Sequence, residues 1–465
     1  MRLPVKTQRL EPPNELRGAC NARQLRLVSL LLACLLSMSM TIKTSRWNMD
    51  LVADLFDADE GFFFSPSSST NQQQQQQQQG TIEPIMLELT PPCEGKSSSC
   101  NLPQWMKDYF QWHRQTLQNI TQPSDWLEHQ LLVLGCMAHN VCGGTADRLR
   151  PLPYYLALAA RAKRLFFIRW TKPLPLEAIL EPYQLNWAMP TTLAQMIDQG
   201  NGTIHRERNL ANMAKHSLRS ELWTLQVLSQ TMTYVAEYTK VVTDLEDVTK
   251  GGLSFQPDYF HDLFLALFQP VPALRDMIET TMTSLHLVPN EFVVTHIRAL
   301  YPGHPYDTSR KVSDLEPSVW NAVDCASYTF PGAPVFVISD TMASKLVAQA
   351  YGHRRHSQSQ THGKNESNQY NYPVVVSDLD MVANSTNSTM VDPLHLDFTQ
   401  VAEHDPSEYF GIFADLFIMS QSRCVAYGGG GFGRFGSQAS FNSTCRAQHT
   451  GQNGGRIFKC HPPAF

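Results

Sequence analysis

The sequence predicts an α/β protein built on parallel sheets, and two observations support this fold class. Short apolar runs of strand length alternate with helix-length stretches in two parts of the chain, near 131–170 and 292–427. A length of 465 residues is enough for two domains or one two-lobed body. We therefore expect two α/β units in succession.

The first unit is predicted between residues 131 and 170. A strand at 131–134 is followed by a glycine-containing loop at 136–148, a helix from Pro151 and a strand at 164–170. An earlier helix is expected at 103–117, with Trp105 on it. The stretch 171–290 looks largely helical, most clearly at 258–268 and 272–287.

The second unit is predicted from residue 292 onward. Strands are expected at 292–295, 334–339, 374–376 and 423–427. Helices are expected at 342–351, ending at Gly352, and at 408–420. A glycine run at 428–431 follows the last strand and precedes the small-residue stretch 432–440.

Composition excludes two broad classes of protein. With 42% hydrophobic and 17% charged residues, the chain is not wholly disordered. With 37 basic and 42 acidic side chains, the net charge is −5, so there is no basic surplus to neutralise nucleic-acid phosphates. We expect no nucleic-acid partner.

The amino-terminal 84 residues predict a membrane anchor and a spacer. Residues 1–26 carry six basic and two acidic side chains, and an uncharged run follows at 27–42. As a helix this run spans about 24 Å, which is short for an average bilayer but tolerable in a thinner early-secretory membrane. The preceding positive charge predicts a cytosolic tail and a single-pass type II signal anchor in the Golgi or ER membrane. A cleaved signal peptide and a buried helix are the alternatives.

Residues 43–84 contain a polyglutamine run and are expected to form a disordered stem.

Two further features fit a luminal location. Eight cysteines lie beyond the stem, which allows up to four disulfides; the simplest pairs are Cys93/Cys100, Cys136/Cys142 and Cys445/Cys460. Six N-x-[ST] sequons predict glycosylation at Asn119, Asn201, Asn365, Asn384, Asn387 and Asn442.

Three groups of residues at predicted strand ends could bind a ligand: Gly143, Gly144 and Arg148; the His296–Arg298 pair; and the glycine run 428–433. Ligands of open α/β sheets bind outside the carboxyl ends of strands. Glycines let backbone N–H groups approach phosphate oxygens, and arginine makes bidentate bonds to a diphosphate. Each group alone also fits an ordinary surface turn, and neither glycine loop is a dinucleotide or P-loop motif. Their joint order points to a nucleotide diphosphate.

A competing motif is a D-x-D pair formed by Asp378 and Asp380. Two such carboxylates could hold Mn²⁺ or Mg²⁺ against a nucleotide diphosphate. Solvated acids at a strand end are the simpler interpretation, so we expect no metal, and this pair is kept as the alternative metal site.

Four segments in order resemble the GDP-fucose-dependent fucosyltransferase superfamily, which holds protein O-fucosyltransferases, α1,6-fucosyltransferases and nodulation fucosyltransferases. CGGTADRLRPLPYYLALAARAKRLFFIRW (142–170) resembles its first loop, helix and strand, and VVTHIRA (293–299) its H-x-R motif. PVFVISD (334–340) resembles its strand ending in a nucleotide-reading aspartate, and DLFIMSQSRCVAYGGGGFGRFGS (415–437) its last motif. The resemblance covers about residues 130–440.

The resemblance implies two Rossmann-like lobes of the GT-B type and a metal-independent transfer of fucose from GDP-fucose, without a cofactor. It implies that Arg298 is catalytic, holding the β-phosphate as negative charge develops. His296 would lie beside it, and Asp340 would accept hydrogen bonds from guanine. The remaining implied donor-binding residues are Gly430, Gly431, Phe432, Gly433, Gly143, Gly144 and Arg148. The acceptor would be a glycan or glycoprotein.

One departure from the family pattern keeps a second function open. Many members carry another arginine and an acid after H-x-R, where this sequence has Ala299 and Leu300. A catalytically inactive luminal protein of the same fold, binding a glycan or a nucleotide, is therefore the alternative. Candidate general bases follow from sequence proximity alone, and they are Asp147, Asp307, Asp314 and Glu316.

The expected domain organisation follows from these segments. In order, it comprises a cytosolic tail (1–26), a transmembrane anchor (27–42), a stem (43–84), an N-terminal α/β lobe with a helical insert (85–288), a nucleotide-sugar-binding lobe (289–445) and a disulfide-stapled tail (446–465).

Overall fold

The structure is a computed structural model that describes residues 102–138, 142–200, 204–207, 233–237, 259–299, 315–361, 373–376, 396, 405–449 and 460. The predicted tail, anchor and stem lie outside these residues and stay predictions. Within the described ranges, no helix combines the length and apolarity needed to cross a membrane.

The described strands form three sheets. They are β1 (Leu131–Cys136), β2 (Leu165–Trp170), β3 (Leu180–Pro182), β4 (Ile204–Glu207), β5 (Thr233–Glu237), β6 (Phe268–Pro270), β7 (Val293–Ile297), β8 (Val335–Ser339), β9 (Val374–Val376), β10 (Cys424–Tyr427) and β11 (Arg446–Gln448).

The described α-helices precede or connect these strands. They are α1 (Gln104–Asn119), α2 (Thr145–Leu149), α3 (Leu152–Arg161), α4 (Thr191–Asp198), α5 (Phe260–Leu267), α6 (Pro272–Ser284), α7 (Leu315–Thr329), α8 (Met342–Thr361), α9 (Phe410–Gln421) and α10 (Gly431–Ala439).

Two parallel sheets organise the protein. The first has the strand order β2-β1-β5-β4, and the second has the order β11-β10-β7-β8-β9. Strands β3 and β6 form a short antiparallel pair. The predicted α/β class with parallel sheets is confirmed.

Predominantly apolar runs explain why β1, β7 and β8 lie inside their sheets. All residues of these three strands are buried, as expected when helices cover both faces of a parallel sheet. One apolar cluster joins the first sheet, α9 and one face of the second sheet. A second cluster lies between the opposite face of the second sheet and α7. The carboxyl edge of the second sheet is thereby held by packing on both sides.

Several sequence predictions are wrong in detail. The stretch 171–290 contains strands β3 to β6, and β4 and β5 belong to the first sheet because they pair, directly or through each other, with β1. Helix α8 continues past Gly352. A Cβ at this glycine would lie 2.6 Å from Cβ of Val374, so the missing side chain lets α8 approach β9. The last motif of the resemblance, at 415–437, implies a small-residue loop after its strand, but α10 begins there at Gly431.

The disulfides are partly as expected. Cys136–Cys142 is confirmed. The pair Cys445/Cys460 is wrong, because Cys445 bonds Cys424 and Cys460 bonds Cys325. Strands β10 and β11 are neighbours, which brings Cys424 and Cys445 to a Cα separation of 4.7 Å. Residues 93 and 100 lie outside the described ranges.

Candidate functional site

The carboxyl ends of β7, β8 and β10 meet at one edge of the second sheet. In the parallel register, His296 is opposite Tyr427 of β10, and Ile297 is opposite Ser339 of β8. Arg298, Asp340 and the glycine run therefore follow their strands at the same edge. This is the position at which open α/β sheets bind ligands.

Two side chains of the β8 end fix the backbone on either side of Arg298. The Ser339 hydroxyl donates to the carbonyl of Ile297 at 2.9 Å. The Ala299 N–H donates to Oδ1 of Asp340 at 2.7 Å. Asp340 was expected to read guanine, and this contact gives one of its oxygens a role in holding the segment that carries Arg298.

Arg298 lies directly against the glycine turn. Gly430 has φ +94° and ψ 170°, a backbone conformation essentially restricted to glycine. A Cβ at this position would lie 2.8 Å from Cδ and 3.2 Å from Nη1 of Arg298. The guanidinium thus occupies space that only glycine leaves open, at the start of α10.

Helix α10 begins immediately after Gly430, so its first turn starts where Arg298 lies. The first turn of a helix has N–H groups without intrahelical acceptors and a partial positive charge. Together with the Arg298 guanidinium, they form a positively polarised position suited to phosphate oxygens. The predicted backbone donors at Gly431, Phe432 and Gly433 all belong to this first turn.

His296 packs against α10 instead of projecting into open space. It is 5% exposed, and a Cβ at Gly433 would lie 2.6 Å from its Nδ1. The Phe432 ring centroid lies 5.5 Å from that of the imidazole. The imidazole therefore sets the distance between β7 and α10, which fixes where Arg298 meets Gly430.

The glycine loop of the first unit reaches the same site. Oδ1 of Asp147 would lie 3.3 Å from a Cβ at Gly431. Its carboxylate accepts the Gly144 N–H at 3.3 Å and is paired with Arg150 at 3.0 Å. Gly143 has φ +73°, and a Cβ there would clash with Asp147. Of the four sequence-proposed general bases, Asp147 is placed at the glycine turn, where its oxygens hold the loop.

Arg148 is placed differently from the other predicted donor-binding residues. It is 1% exposed, and its guanidinium donates to the carbonyls of Gly143 at 2.9 Å, Lys172 at 2.5 Å and Leu396 at 3.3 Å. It also lies over the Trp170 ring at 5.0 Å. Its charge holds the loop, so we expect it to affect donor binding through Gly143 and Gly144.

The Cys136–Cys142 disulfide closes the start of this loop. It joins the last residue of β1 to the residue before Gly143. The path of the loop toward α10 is thereby restricted from the strand side as well as by Arg148.

Sequence reasoning missed one residue of this site, His449. Its Nε2 lies 2.9 Å from the carbonyl oxygen of His296. Burial lowers its pKa to about 4. The histidine follows a three-residue edge strand and belongs to no motif, so no signal in the sequence could have identified it.

Several predicted residues lie outside the described ranges: Leu300, Asp307, Asp314, Asp378, Asp380, Asn201, Asn365, Asn384 and Asn387. Among the described residues, no three His, Cys, Asp or Glu side chains group as metal ligands. Glu316 lies in the first turn of α7. Asn119 and Asn442 are exposed, as a glycosylation site requires.

Comparison with known proteins gives fold similarities only. No family model matches the chain, and no curated protein matches it. The structure is similar to a mutant of FUT1 from Arabidopsis thaliana in complex with GDP, with 9% identity, a TM-score of 0.44, and coverage of 78% of this chain and 84% of that one. It is also similar to NodZ α-1,6-fucosyltransferase soaked with GDP-fucose, with 12% identity, a TM-score of 0.38 and coverage of 70% and 97%. A structure of fucosyltransferase NodZ from Bradyrhizobium is similar with 12% identity and a TM-score of 0.36, and the match covers 67% of this chain and 93% of that one. Likenesses this distant do not assign the chain to a family.

Proposed function

We propose that this protein is a metal-independent glycosyltransferase that transfers fucose from GDP-fucose to a hydroxyl of a glycan or protein. One observation carries the proposal. The Arg298 guanidinium lies against Gly430, at the amino-terminal end of α10 and at the carboxyl edge of a parallel sheet. Charge and N–H donors converge there as a diphosphate requires.

The chemistry follows from this arrangement. The oxygen of the acceptor hydroxyl would form a bond to fucose C1 and release its proton to solvent, while the bond between C1 and the phosphate oxygen breaks and negative charge develops on the β-phosphate of the departing GDP. The Arg298 guanidinium and the N–H groups of the first turn of α10 would stabilise that charge. The segment that carries Arg298 is held by Ser339 and Asp340 before the donor arrives, so little reorganisation is required.

The proposed setting is the lumen of the secretory pathway, with residues 27–42 as a type II anchor. Three disulfides among the described residues and two exposed sequon asparagines, Asn119 and Asn442, support this setting. Endoglycosidase treatment of the protein expressed in animal cells should increase its gel mobility. An unchanged mobility would contradict a luminal location.

The functional test is turnover of a panel of nucleotide sugars by the full-length chain, with and without a chelator. We expect hydrolysis or transfer from GDP-fucose to survive chelation and to be lost in Arg298→Ala. Arg298→Lys keeps the charge but loses the bidentate geometry, so it should retain only part of the activity. Arg169→Ala removes an arginine paired with Asp198 in the first sheet and serves as the control.

Other outcomes would point to the alternatives. GDP binding without turnover of any donor would favour an inactive nucleotide-binding protein, which the Ala299 position suggests. Turnover abolished by the chelator and by Asp378→Ala would favour the metal-dependent alternative.

A further inference from the structure

His449 connects three strands of the second sheet with helix α7. It is 2% exposed and follows β11 directly. Its backbone N–H donates to the carbonyl of Tyr427, at the end of β10, at 3.0 Å. Its own carbonyl accepts Nδ2 of Asn321, on α7, at 2.9 Å. The backbone of His449 is therefore fixed before its side chain makes any contact.

The imidazole of His449 reaches the strand that carries the predicted catalytic arginine. Its Nε2 lies 2.9 Å from the carbonyl oxygen of His296 on β7. A carbonyl oxygen only accepts, so Nε2 carries the proton and donates it. Burial lowers the pKa of the imidazole to about 4, which keeps this neutral donor form at neutral pH.

The His296 carbonyl is shared with the glycine turn. It also accepts the N–H of Gly428 at 3.2 Å. One oxygen therefore joins the end of β7, the start of the turn that leads to Gly430, and β11. Arg298 lies two residues beyond this oxygen, so a shift of the carbonyl changes the distance between Arg298 and the turn.

We propose that His449 is a positioning residue for the diphosphate site, which aligns Arg298 with the glycine turn by holding the His296 carbonyl. The inference deepens the proposed function and rests on it, because the diphosphate is that of the GDP donor. It assigns the segment after β11 to the site through the His296 carbonyl.

The chain offers a matched control in His113. It is fully buried, burial lowers its pKa to about 4, and its Nε2 lies 3.1 Å from a strand carbonyl, that of Phe166. It lies in the first unit, on α1. Leucine removes the donor at either histidine, whereas glutamine can still donate from its amide.

The experiment measures GDP affinity by calorimetry and amide hydrogen exchange at 296–299 and 428–431 in the full-length chain. We expect His449→Leu to weaken GDP binding by about 3–10-fold, the effect of losing one hydrogen bond, and to speed exchange in both segments. His449→Gln should restore most of the affinity, and His113→Leu should leave affinity and exchange in these segments unchanged. If His449→Leu does not fold, Asn321→Ala loosens the His449 backbone and should produce a smaller change of the same kind.

The outcomes separate the two proposals. The positioning role would be overturned, with GDP binding by the wild type intact, by either of two results. One is that His449→Leu has the GDP affinity and the amide exchange of the wild type. The other is that His113→Leu loses as much GDP affinity as His449→Leu. A different result would overturn the proposed donor but support the positioning role of His449. In that case His449→Leu speeds amide exchange, His449→Gln reverses the effect, and the wild type does not bind GDP.

Discussion

Replacing Gly430 with alanine tests the link between the glycine turn and Arg298. The backbone at Gly430, with φ +94° and ψ 170°, costs about 1–3 kcal/mol for a residue with a side chain. The added Cβ would lie 2.8 Å from Cδ of Arg298, well inside the ~3.5–4.0 Å of an ordinary carbon–carbon contact. The guanidinium must therefore move by about 1 Å, or the turn must open.

Either movement separates Arg298 from the first turn of α10. Hydrogen bonds to charged groups contribute about 1.5–3 kcal/mol, so the expected loss of GDP affinity is roughly 10–150-fold. Titration calorimetry with GDP measures this directly, and thermal unfolding measures the accompanying loss of stability.

Two other glycines supply controls for the two parts of the effect. Gly429 has no positive φ, and a Cβ there meets no atom within 4 Å, so Gly429→Ala should change neither quantity. Gly332 has φ +83° with open space around a Cβ. Gly332→Ala should lower stability while GDP binding stays normal. If Gly430→Ala binds GDP as tightly as Gly429→Ala, the site assigned here is wrong.

Three further predictions concern the surroundings of the site. Gly433→Ala places a Cβ 2.6 Å from Nδ1 of His296 and should weaken GDP binding, as measured by calorimetry, while the protein still unfolds in one thermal transition. A lower melting temperature with unchanged GDP affinity would contradict a spacing role for the imidazole. Burial lowers the pKa values of His113 and His449 to about 4. Because these histidines bind protons at a pH of about 6.5 in the unfolded chain, the free energy of unfolding should decline as the pH falls from about 6.5 to about 4, by up to about 3 kcal/mol per histidine. Denaturant unfolding of His113→Gln should show a flatter decline over that interval than the wild type, and an identical slope would count against a neutral buried ring. Replacing both Cys136 and Cys142 with serine should lower the free energy of unfolding by about 2 kcal/mol through the loss of a short closed loop, and an unchanged urea midpoint would show that the loop is held by other contacts alone.

The strands and turns of the site were predictable from sequence because their signals are local. The run that becomes β7 is apolar at every position except Thr295 and His296, and the four glycines mark a turn without reference to the rest of the chain. The order of these segments was sufficient to predict that Arg298 and the glycine run share one edge of a sheet. That prediction agrees with the contact between Arg298 and Gly430.

Features that depend on tertiary contacts were not predictable. Glycine disfavours helix, so local propensity does not predict that α10 begins at Gly431. Yet Gly433 and Gly436 are where α10 closely approaches His296 and Met419, and larger residues would not fit. Tertiary packing outweighs propensity in this helix.

The disulfide partners of Cys445 and Cys460 were also not predictable from the sequence. Cys445 lies 15 residues from Cys460 but 21 from Cys424, and proximity along the chain favoured the wrong pair. Adjacent strands decide the outcome, because β10 and β11 bring the more distant cysteine closer. His449 was missed for the same reason, since its contacts exist only once these strands have paired.

The order of strands in the second sheet constrains how the protein is made. Its central strand, β7, precedes all the other strands of the sheet in the chain, whereas the edge strand β11 comes last, and the bond from Cys325 to Cys460 joins residues 135 positions apart. Between the synthesis of β10 and the pairing of β11, β10 presents an unpaired edge, which can pair with strands of other chains. Truncation of the chain after Tyr427 would remove β11, Cys445 and Cys460, so β10 would become an exposed edge strand and Cys325 and Cys424 would lose their disulfide partners.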